Sequence, residues 1–252
     1  MSESSTENNS DAEHPWWWRI VTAIALGFIA LGNFSDATLL IRDFGVEVYT
    51  WVSNDYEYQV LAGIHVGNTV AYVEEILGYP QVSRTIDDET TANYFFRGEY
   101  LLTLFYNSNR VSAYTWVSLD DGFAPEIDLR NGEVQPLGEF SFSTLPLEIT
   151  GYTLDDSRIV RFYIESLEEG RTAGFLGTYL GRIQYGAFES KNAIAGLYQA
   201  EVMGDDEDVD SAKIHLRQEE IPNLYGRGNL PLEQIEKSIL SNSEYAGYFG
   251  TN

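Results

Sequence analysis

The chain has 252 residues, of which 44% are hydrophobic and 14% aromatic, and it contains no cysteine. This apolar content is enough for a sizeable core and excludes wholesale disorder, and the lack of cysteine excludes disulfides, thiolate metal sites and a cysteine nucleophile. The chain carries 39 acidic and 15 basic residues, which give a formal net charge of −24. Such a charge repels phosphate backbones and argues against nucleic acid as a partner.

The N-terminal part of the sequence changes from polar to apolar at Pro15. Residues 1–14 are polar and acidic, which predicts a disordered acidic tail. Three tryptophans and an arginine then precede the apolar run IVTAIALGFIALG, a pattern typical of an aromatic belt at the end of a membrane-spanning helix. Residues 15–32 are therefore predicted to form an uncleaved single-pass anchor, with residues 16–32 in contact with membrane lipid.

Two other interpretations of this run stay open. A cleaved signal peptide normally begins with basic residues, and the first 18 residues contain neither lysine nor arginine, although Ala30-Leu31-Gly32 would suit cleavage. A buried core helix is the second alternative. The anchor predicts a location in the inner membrane. Arg19, the single base on its N-terminal flank, favours an extracytoplasmic C-terminal domain.

Residues 33–53 are predicted to continue as a helical stalk, because their apolar residues recur at alternating spacings of three and four. Ala23 and Gly27 extend the same register into the anchor, where small residues let two helices approach closely. The stalk is predicted to pack on the protein's own domain, because the seam is shorter than three or four heptads. The alternative is a parallel homodimer through the seam residues Ala23, Gly27, Phe34, Ile41, Phe44 and Val48.

Residues 60–120 are predicted to form a helix-plus-meander module. Apolar residues between 69 and 77 share one helical face, Asn68 suits the N-cap, and Gly78 and Pro80 suit the end of the helix. Strand-like segments joined by tight turns follow at 92–97, 100–106 and 110–118. One helix followed by an antiparallel meander is an α+β arrangement.

At these residues the chain resembles the SmpA/BamE-like module of bacterial envelope lipoproteins. The resemblance covers residues 63–117 and rests on Gly63, Leu77, Gly78, Tyr79, Pro80, Tyr94, Phe95, Phe96, Leu102, Leu104, Tyr106 and Val111. It implies one or two helices on a small antiparallel sheet and a non-catalytic, protein-binding role in a bacterial envelope. Those lipoproteins carry an acylated cysteine that this chain lacks. Over most of its length the chain also resembles an uncharacterised bacterial family of membrane-anchored proteins, which implies no mechanism.

Both faces of the predicted meander are apolar. With a regular turn, one face carries Leu102, Leu104, Tyr106, Val111, Ala113 and Val117, and the other carries Leu101, Phe105, Tyr114 and Trp116. A sheet that is apolar on both faces needs cover on both. Helix 69–77 is expected to cover one face, and either the C-terminal half of the chain or a partner protein covers the other. Phe105, Tyr114 and Trp116 are therefore the candidate protein-binding residues.

Residues 137–252 are predicted to form a second, β-rich module with a C-terminal helix. Strands are predicted at 139–149, 158–167, 174–188 and 211–221, a helix at 230–241, and either structure at 192–202. The acidic run 205–210 is interpreted as a solvated loop. The run lacks the usual ladder of calcium ligand positions, which favours the loop. Calcium binding there stays an open alternative.

The predicted fold class is α+β: a single transmembrane helix and helical stalk, the helix-plus-meander module, and the second β-rich module. The sequence has no Gly-x-Ser-x-Gly or His-Glu-x-x-His motif, so no catalytic, cofactor-binding or metal-binding residue is predicted. The favoured function is that of a membrane-anchored, non-catalytic binding or scaffold protein of a bacterial envelope. The alternatives are a membrane-tethered, carboxylate-dependent hydrolase and a membrane effector of a stress or phage-response system.

Overall fold

The chain folds into helices and antiparallel strands whose order along the sequence differs from their order in space. The structure, a computed structural model, describes residues 54–129, 134–145, 149–167, 176–185, 191–204 and 206–250. Its helices are α1 (Asp55–Gly63), α2 (Val70–Leu77), α3 (Ala193–Met203), α4 (Asp206–Glu219), α5 (Leu232–Lys237) and α6 (Asn242–Phe249). Its strands are β1 (Val82–Thr85), β2 (Thr91–Phe96), β3 (Tyr100–Asn107), β4 (Arg110–Ser118), β5 (Glu126–Asp128), β6 (Val134–Pro136), β7 (Ile149–Asp156), β8 (Arg161–Leu167), β9 (Gly177–Ile183) and β10 (Leu224–Gly228).

One antiparallel sheet joins the two halves of residues 57–252. Its eight strands lie in the order β1-β2-β3-β4-β10-β9-β8-β7, and β5 pairs separately with β6. Strand β10 lies between β4 and β9, so the edge of the N-terminal meander is paired by a strand from the C-terminal half. The predicted fold class, with a meander module and a separate β-rich module, is therefore wrong.

The predicted membrane segments fall outside the part of the chain that the structure describes. This holds for the tail at 1–14, the anchor at 15–32, the stalk at 33–53 and all residues of the dimer seam. Among the described residues, no helix has the length and apolar character needed to cross a bilayer.

The local predictions for the N-terminal meander are confirmed. Helix α2 and strands β2, β3 and β4 lie where the sequence places them. The N-cap of α2 is Thr69, whose side chain accepts a hydrogen bond from the Tyr72 N–H, whereas Asn68 accepts one from the His65 N–H. The prediction of Asn68 as the N-cap was therefore wrong by one residue.

A β-bulge changes which residues share a face of the meander. Phe105 pairs with Ala113, but the next residue of β3, Tyr106, pairs with Val111, so Ser112 is the extra residue. Beyond the bulge the side chains of β4 change faces relative to the predicted register. The expectation that Phe105 lies on the face of Tyr114 and Trp116 is therefore wrong, because it assumed that the register set by the turn continues unbroken along both strands.

Both faces of the sheet are covered by the chain's own helices. One face packs against α1, α2, α3 and α4 through core residues such as Leu61, Val73, Leu197 and Leu216. The opposite face packs against α5 through Ile235, against α6 through Phe249 and against Leu240 between the two helices. The C-terminal half of the chain therefore covers the face opposite α2. This confirms one of the two predicted alternatives, the other being a partner protein.

The C-terminal half contains more helix than the sequence pattern predicts. Strand β8 confirms the prediction at 158–167, but 211–221 lies largely in helix α4, and residues 142–144 form a short 3-10 turn in place of a strand. In α4, Val209, Ala212 and Leu216 pack towards the core at helical spacing. Its first turn carries three acidic residues, which complement the helix dipole.

Glycine at position 226 lets β10 approach β4 closely. A β-carbon there would lie 2.5 Å from Thr115 Cγ2 and 2.7 Å from the Tyr114 carbonyl oxygen. We therefore expect Gly226→Ala to lower the free energy of unfolding by about 2–3 kcal/mol, because backbone atoms cannot move aside without disturbing the sheet. Urea denaturation measures the change.

Gly196 supplies the matched control for this substitution. It lies inside α3, and, apart from its chain neighbours and the helix's own backbone, no atom of the described residues lies within 4 Å of the β-carbon that alanine would add. Gly196→Ala should therefore raise the free energy of unfolding by about 0.5–1 kcal/mol. Equal effects of the two substitutions would contradict the close approach of β10 to β4.

Candidate functional site

A groove lies between helix α1, the middle of the sheet and the β5–β6 hairpin. We call it the Trp116 groove, because the indole of Trp116 on β4 forms part of its wall. Its volume is about 540 Å³. Its described lining is apolar or aromatic except for the side chains of Gln59 and Glu126, and it consists of Tyr58, Gln59, Leu61, Ala62, Trp116, Ala124, Pro125, Glu126 and Pro136.

The indole of Trp116 is held in place by a stack of aromatic rings on adjacent strands. The ring of Tyr114 stacks on it with centroids 5.4 Å apart, and the ring of Tyr225 lies 4.9 Å away on the other strand. Trp116 and Tyr225 are direct cross-strand partners, and the Tyr225 hydroxyl donates to the Asp128 carbonyl at 3.2 Å. The indole is therefore fixed by the sheet and does not depend on a loop.

The indole nitrogen of Trp116 is a buried donor without an acceptor. Trp116 is 5% exposed, and among the described residues its Nε1 has no hydrogen-bond partner. A buried N–H group without a partner costs about 1–3 kcal/mol, so most such groups in native proteins are paired. This donor is the feature of the groove that packing alone does not explain.

Helix α1 is positioned over the sheet by a second aromatic cluster. The ring of Phe123 lies 5.1 Å from those of Tyr58 and Tyr100, and the Tyr58 hydroxyl accepts the Ala124 N–H at 3.1 Å. The Tyr100 hydroxyl donates to Glu57 at 2.6 Å. These contacts fix Tyr58 as the opposite wall of the groove.

The surroundings of the groove are acidic. Glu126 is the charged residue of the described lining. Burial raises the pKa of Glu99, and the nearby carboxylates of Glu57 and Asp120 raise it further. Together with the overall charge of −24, these acids favour a ligand that carries positive charge.

The three predicted binding residues do not form one surface. Tyr114 and Trp116 share the face that packs against α1 and α2, whereas Phe105 lies on the opposite face in the second core cluster. Phe105 is 0% exposed, and Tyr114 is 7% exposed. Of the three, Trp116 is the residue that lines a cavity in the described structure.

A second cavity, of about 310 Å³, collects charged residues at the end of β9. Its floor is an ion pair between Arg182 Nε and Glu220 Oε2 at 3.6 Å, and both residues are buried. Burial lowers the pKa of Arg182, and the Glu220 and Asp121 carboxylates oppose this shift. Lys191 Nζ lies 3.4 Å from Glu219 Oε2 at the same cavity.

This second cavity is where the acids of the hydrolase alternative would lie. Such a reaction needs one carboxyl group that keeps its proton and one free carboxylate. Three acids line the cavity, and two of them are paired with a base: Glu220 with Arg182 and Glu219 with Lys191. This pairing does not make one of the two a proton donor and the other a free carboxylate. The hydrolase alternative stays a prediction.

The described residues contain no group of three or more histidine and acidic side chains that could hold a metal ion. Residues 206–210 of the acidic run belong to helix α4 rather than to a loop. A third cavity, of about 470 Å³, adjoins Asp87, whose Oδ1 accepts the N–H groups of Glu89 and Thr90. These backbone hydrogen bonds lower the pKa of Asp87, the bond from Glu89 most strongly. The Asp87 carboxylate therefore stabilises the turn at residues 87–90.

Most of the groove could not have been found from the sequence. Tyr58, Pro125 and Pro136 lie in segments with no strong pattern, and they meet Trp116 only through the long-range pairing of the sheet. The signal that was present is the aromatic pair Tyr114 and Trp116 on a strand whose two faces are both apolar.

Comparisons of the chain with known protein families, with curated proteins and with solved structures found no match. The resemblance of residues 63–117 to the SmpA/BamE-like module stays a prediction. The function is therefore argued from the geometry of the groove.

Proposed function

We propose that this chain is a non-catalytic binding protein that takes a segment of a partner protein into the Trp116 groove. The observation that carries the proposal is the groove itself, which has a volume of about 540 Å³, a mostly apolar and aromatic described lining, and the Trp116 ring held in its wall by Tyr114 and Tyr225. Aromatic walls supply the apolar contact area that anchors a partner.

Site-specific crosslinking tests this function. Gln59 is exposed on the rim of the groove, so a photoreactive benzoylphenylalanine at this position should form a discrete adduct in cells of the source organism. The same group at Tyr79, which is 81% exposed elsewhere on the surface, should not form that adduct.

A blocking substitution makes the test specific for the groove. Ala62 is exposed and lines the groove, so Ala62→Arg should fill it without disturbing the core and should reduce the adduct by about tenfold or more. Ala71→Arg, on the exposed face of α2, is the matched control and should leave the adduct unchanged. An adduct that survives Ala62→Arg while both variants melt like the parent would overturn the proposal.

The place of this function in the cell follows from the sequence prediction alone. The apolar segment 16–32 is predicted to hold the chain in the inner membrane, where the groove would face a neighbouring envelope protein. The effector alternative for a stress or phage-response system also stays a prediction, and it would use the same groove for sensing.

A further inference from the structure

The structure points to how the Trp116 groove holds its partner segment. We propose that the segment pairs as a short extended strand with the outer edge of β5, the side away from β6, and that its side chains there follow the order apolar, basic, apolar. This inference rests on the proposed function and specifies the ligand of the same groove. Three observations carry it: the hydrogen bonds of the β5–β6 hairpin, the position of the β5 edge in the groove, and the charge of the lining.

The hydrogen bonds of the hairpin determine which backbone groups of β5 point outwards. The Leu137 N–H donates to the Pro125 carbonyl at 3.0 Å, so these two residues form a hydrogen-bonded pair. The next pair, Glu126 with Pro136, is then of the other kind, because the two kinds alternate between antiparallel strands. The N–H and carbonyl of Glu126 therefore point away from β6, and β5 pairs with no other strand of the described structure.

The outer edge of β5 runs between the two walls of the groove. At one end the Ala124 N–H donates to the hydroxyl of Tyr58, the wall on α1, at 3.1 Å. At the other end the Asp128 carbonyl accepts from the hydroxyl of Tyr225, whose ring packs against the opposite wall. Glu126 lies between these two bonds and lines the groove. Its outward N–H and carbonyl are therefore the groups with which an extended segment in the groove can pair.

The outer edge of β6 is less suited to pairing. Pro136 is the residue opposite Glu126, and proline has no N–H to donate at that edge. Proline on an edge strand is one of the features that discourage the addition of a further strand. The hairpin therefore directs the pairing to β5.

The residue that pairs with Glu126 is expected to be basic. Directly opposite residues of paired strands place their side chains on the same face, where opposite charges stabilise the pair. Glu126 is the charged residue of the described lining, and the net charge of the chain is −24. Arginine or lysine would therefore be attracted to this position, and an acidic residue would be repelled.

The ligand residues on either side of the basic one are expected to be apolar, because successive side chains of a strand point to opposite faces. In β5 the chain neighbours of Glu126, Pro125 and Ile127, are buried on the face away from its carboxylate. Ile127 belongs to the same core cluster as Leu61 and Trp116, which line the groove. Valine or isoleucine would suit both this apolar face and an extended backbone.

A synthetic peptide tests the inference on the full chain. The probe is a capped peptide of about seven residues with the sequence Thr-Thr-Val-Arg-Val-Thr-Thr. We expect a Kd of about 0.1 mM, since one paired residue and two apolar side chains offer few anchors. Replacing the arginine of the probe by glutamate should weaken binding by about tenfold.

Two N-methylated probes form a matched pair. N-methylation of the arginine removes the N–H that donates to the Glu126 carbonyl, so it should weaken binding by about tenfold or more. N-methylation of the following valine alters an N–H that points away from β5, so it should change binding by less than about threefold. Equal effects of the two methyl groups overturn the pairing with β5.

Substitutions at position 126 separate the backbone from the charge. Glu126→Gln keeps the N–H and loses the charge, so it should weaken binding of the probe about two- to fivefold. Glu126→Pro loses the N–H as well and should weaken binding by about tenfold or more. The N–H of residue 126 points away from β6, so both variants should melt like the parent. Equal binding to the two variants overturns the pairing.

Nuclear magnetic resonance reports the contact in the parent chain. On binding of the probe the Glu126 amide should exchange about tenfold or more slowly, whereas the Ile127 amide, which points to β6, should change little. The Trp116 indole signal, identified in ¹⁵N-labelled protein by its absence from Trp116→Phe, should shift as the apolar side chains enter the groove. Unchanged exchange at Glu126 with the probe bound overturns the pairing.

The outcomes separate the inference from the proposed function. A glutamate probe that binds as tightly as the arginine probe overturns the basic residue, and a probe that does not bind at about 1 mM overturns the whole pattern. If Ala62→Arg abolishes the crosslink from position 59 but Glu126→Pro leaves it unchanged, the inference fails and the binding function stands. If the crosslink also survives Ala62→Arg, both fail.

Discussion

Replacing Asn223 by alanine is expected to lower the free energy of unfolding by about 3–5 kcal/mol, because three buried hydrogen bonds lose a partner at once. The Asn223 amide donates to the carbonyls of Ser118 and Ile183 at 3.2 and 3.0 Å, and its oxygen accepts the Ile183 N–H at 2.8 Å. Asn223 is 0% exposed, so water cannot replace these bonds without opening the sheet.

The side chain of Asn223 joins the two halves of the sheet where they meet. Ser118 ends β4 and Ile183 ends β9, and β10 begins next to Asn223. Loss of this contact should loosen the start of β10, which carries Tyr225 against Trp116. We therefore expect Asn223→Ala to broaden the Trp116 indole signal in addition to lowering stability.

Urea denaturation measures the stability change, and Asn229→Ala is the matched control. Asn229 is exposed, and its backbone N–H, which alanine keeps, makes the bond to Ser112. The control should change the free energy of unfolding by less than about 0.5 kcal/mol. A similarly small effect of Asn223→Ala would contradict the role of this side chain as the link between β4 and β9.

The local structure of the meander could be predicted because short-range patterns determine it. Runs of apolar and aromatic residues mark β3 and β4, and the turn between them uses Ser108 and Asn109 at positive φ, as the sequence Asn-Ser-Asn allows. The bulge at Ser112 could not be predicted, since nothing in the local pattern distinguishes an extra residue from a regular pair. That one residue moved Phe105 away from the candidate site.

The long-range parts of the fold were beyond the reach of sequence patterns. Strand β10 pairs with β4 across about a hundred residues, and no periodicity indicates which edge a strand will join. In α4, the neighbours Ile214 and Leu216 mimic strand alternation, but Ile214 is exposed and only Leu216 is buried. The groove depends on these tertiary pairings, so Trp116 was identifiable from the sequence and its surroundings were not.

A second large effect is expected at a buried ion pair between the sheet and helix α4. Glu165 is 0% exposed. Arg217 Nε lies 2.9 Å from Glu165 Oε1, but its N–H does not point at this oxygen well enough to form a hydrogen bond. The Tyr163 hydroxyl donates a hydrogen bond to the same oxygen at 2.7 Å. The other carboxylate oxygen has no partner among the described residues. Burial raises the pKa of Glu165 above its ordinary value of 4.5, and the charge of Arg217 opposes that rise.

The raised pKa determines how stability depends on pH. The folded state holds the Glu165 proton more tightly than the unfolded state does, so this group stabilises the fold fully below about pH 4.5. That contribution is lost as the pH rises through the folded-state pKa. Removal of Arg217 raises the folded-state pKa further, because the opposing charge disappears.

Arg217→Met is therefore expected to lower the free energy of unfolding by about 3–5 kcal/mol near pH 7, because it leaves a buried carboxylate without its counter-charge. The difference from the parent should shrink towards pH 5, as Glu165 takes up a proton. In the double variant Glu165→Gln/Arg217→Met the difference should no longer depend on pH.

Arg84→Met is the control: Arg84 lies 3.9 Å from Glu244 in an exposed pair, and its loss should cost less than about 1 kcal/mol. A loss in Arg217→Met that is the same at both pH values would show that Glu165 is not the charge that Arg217 compensates.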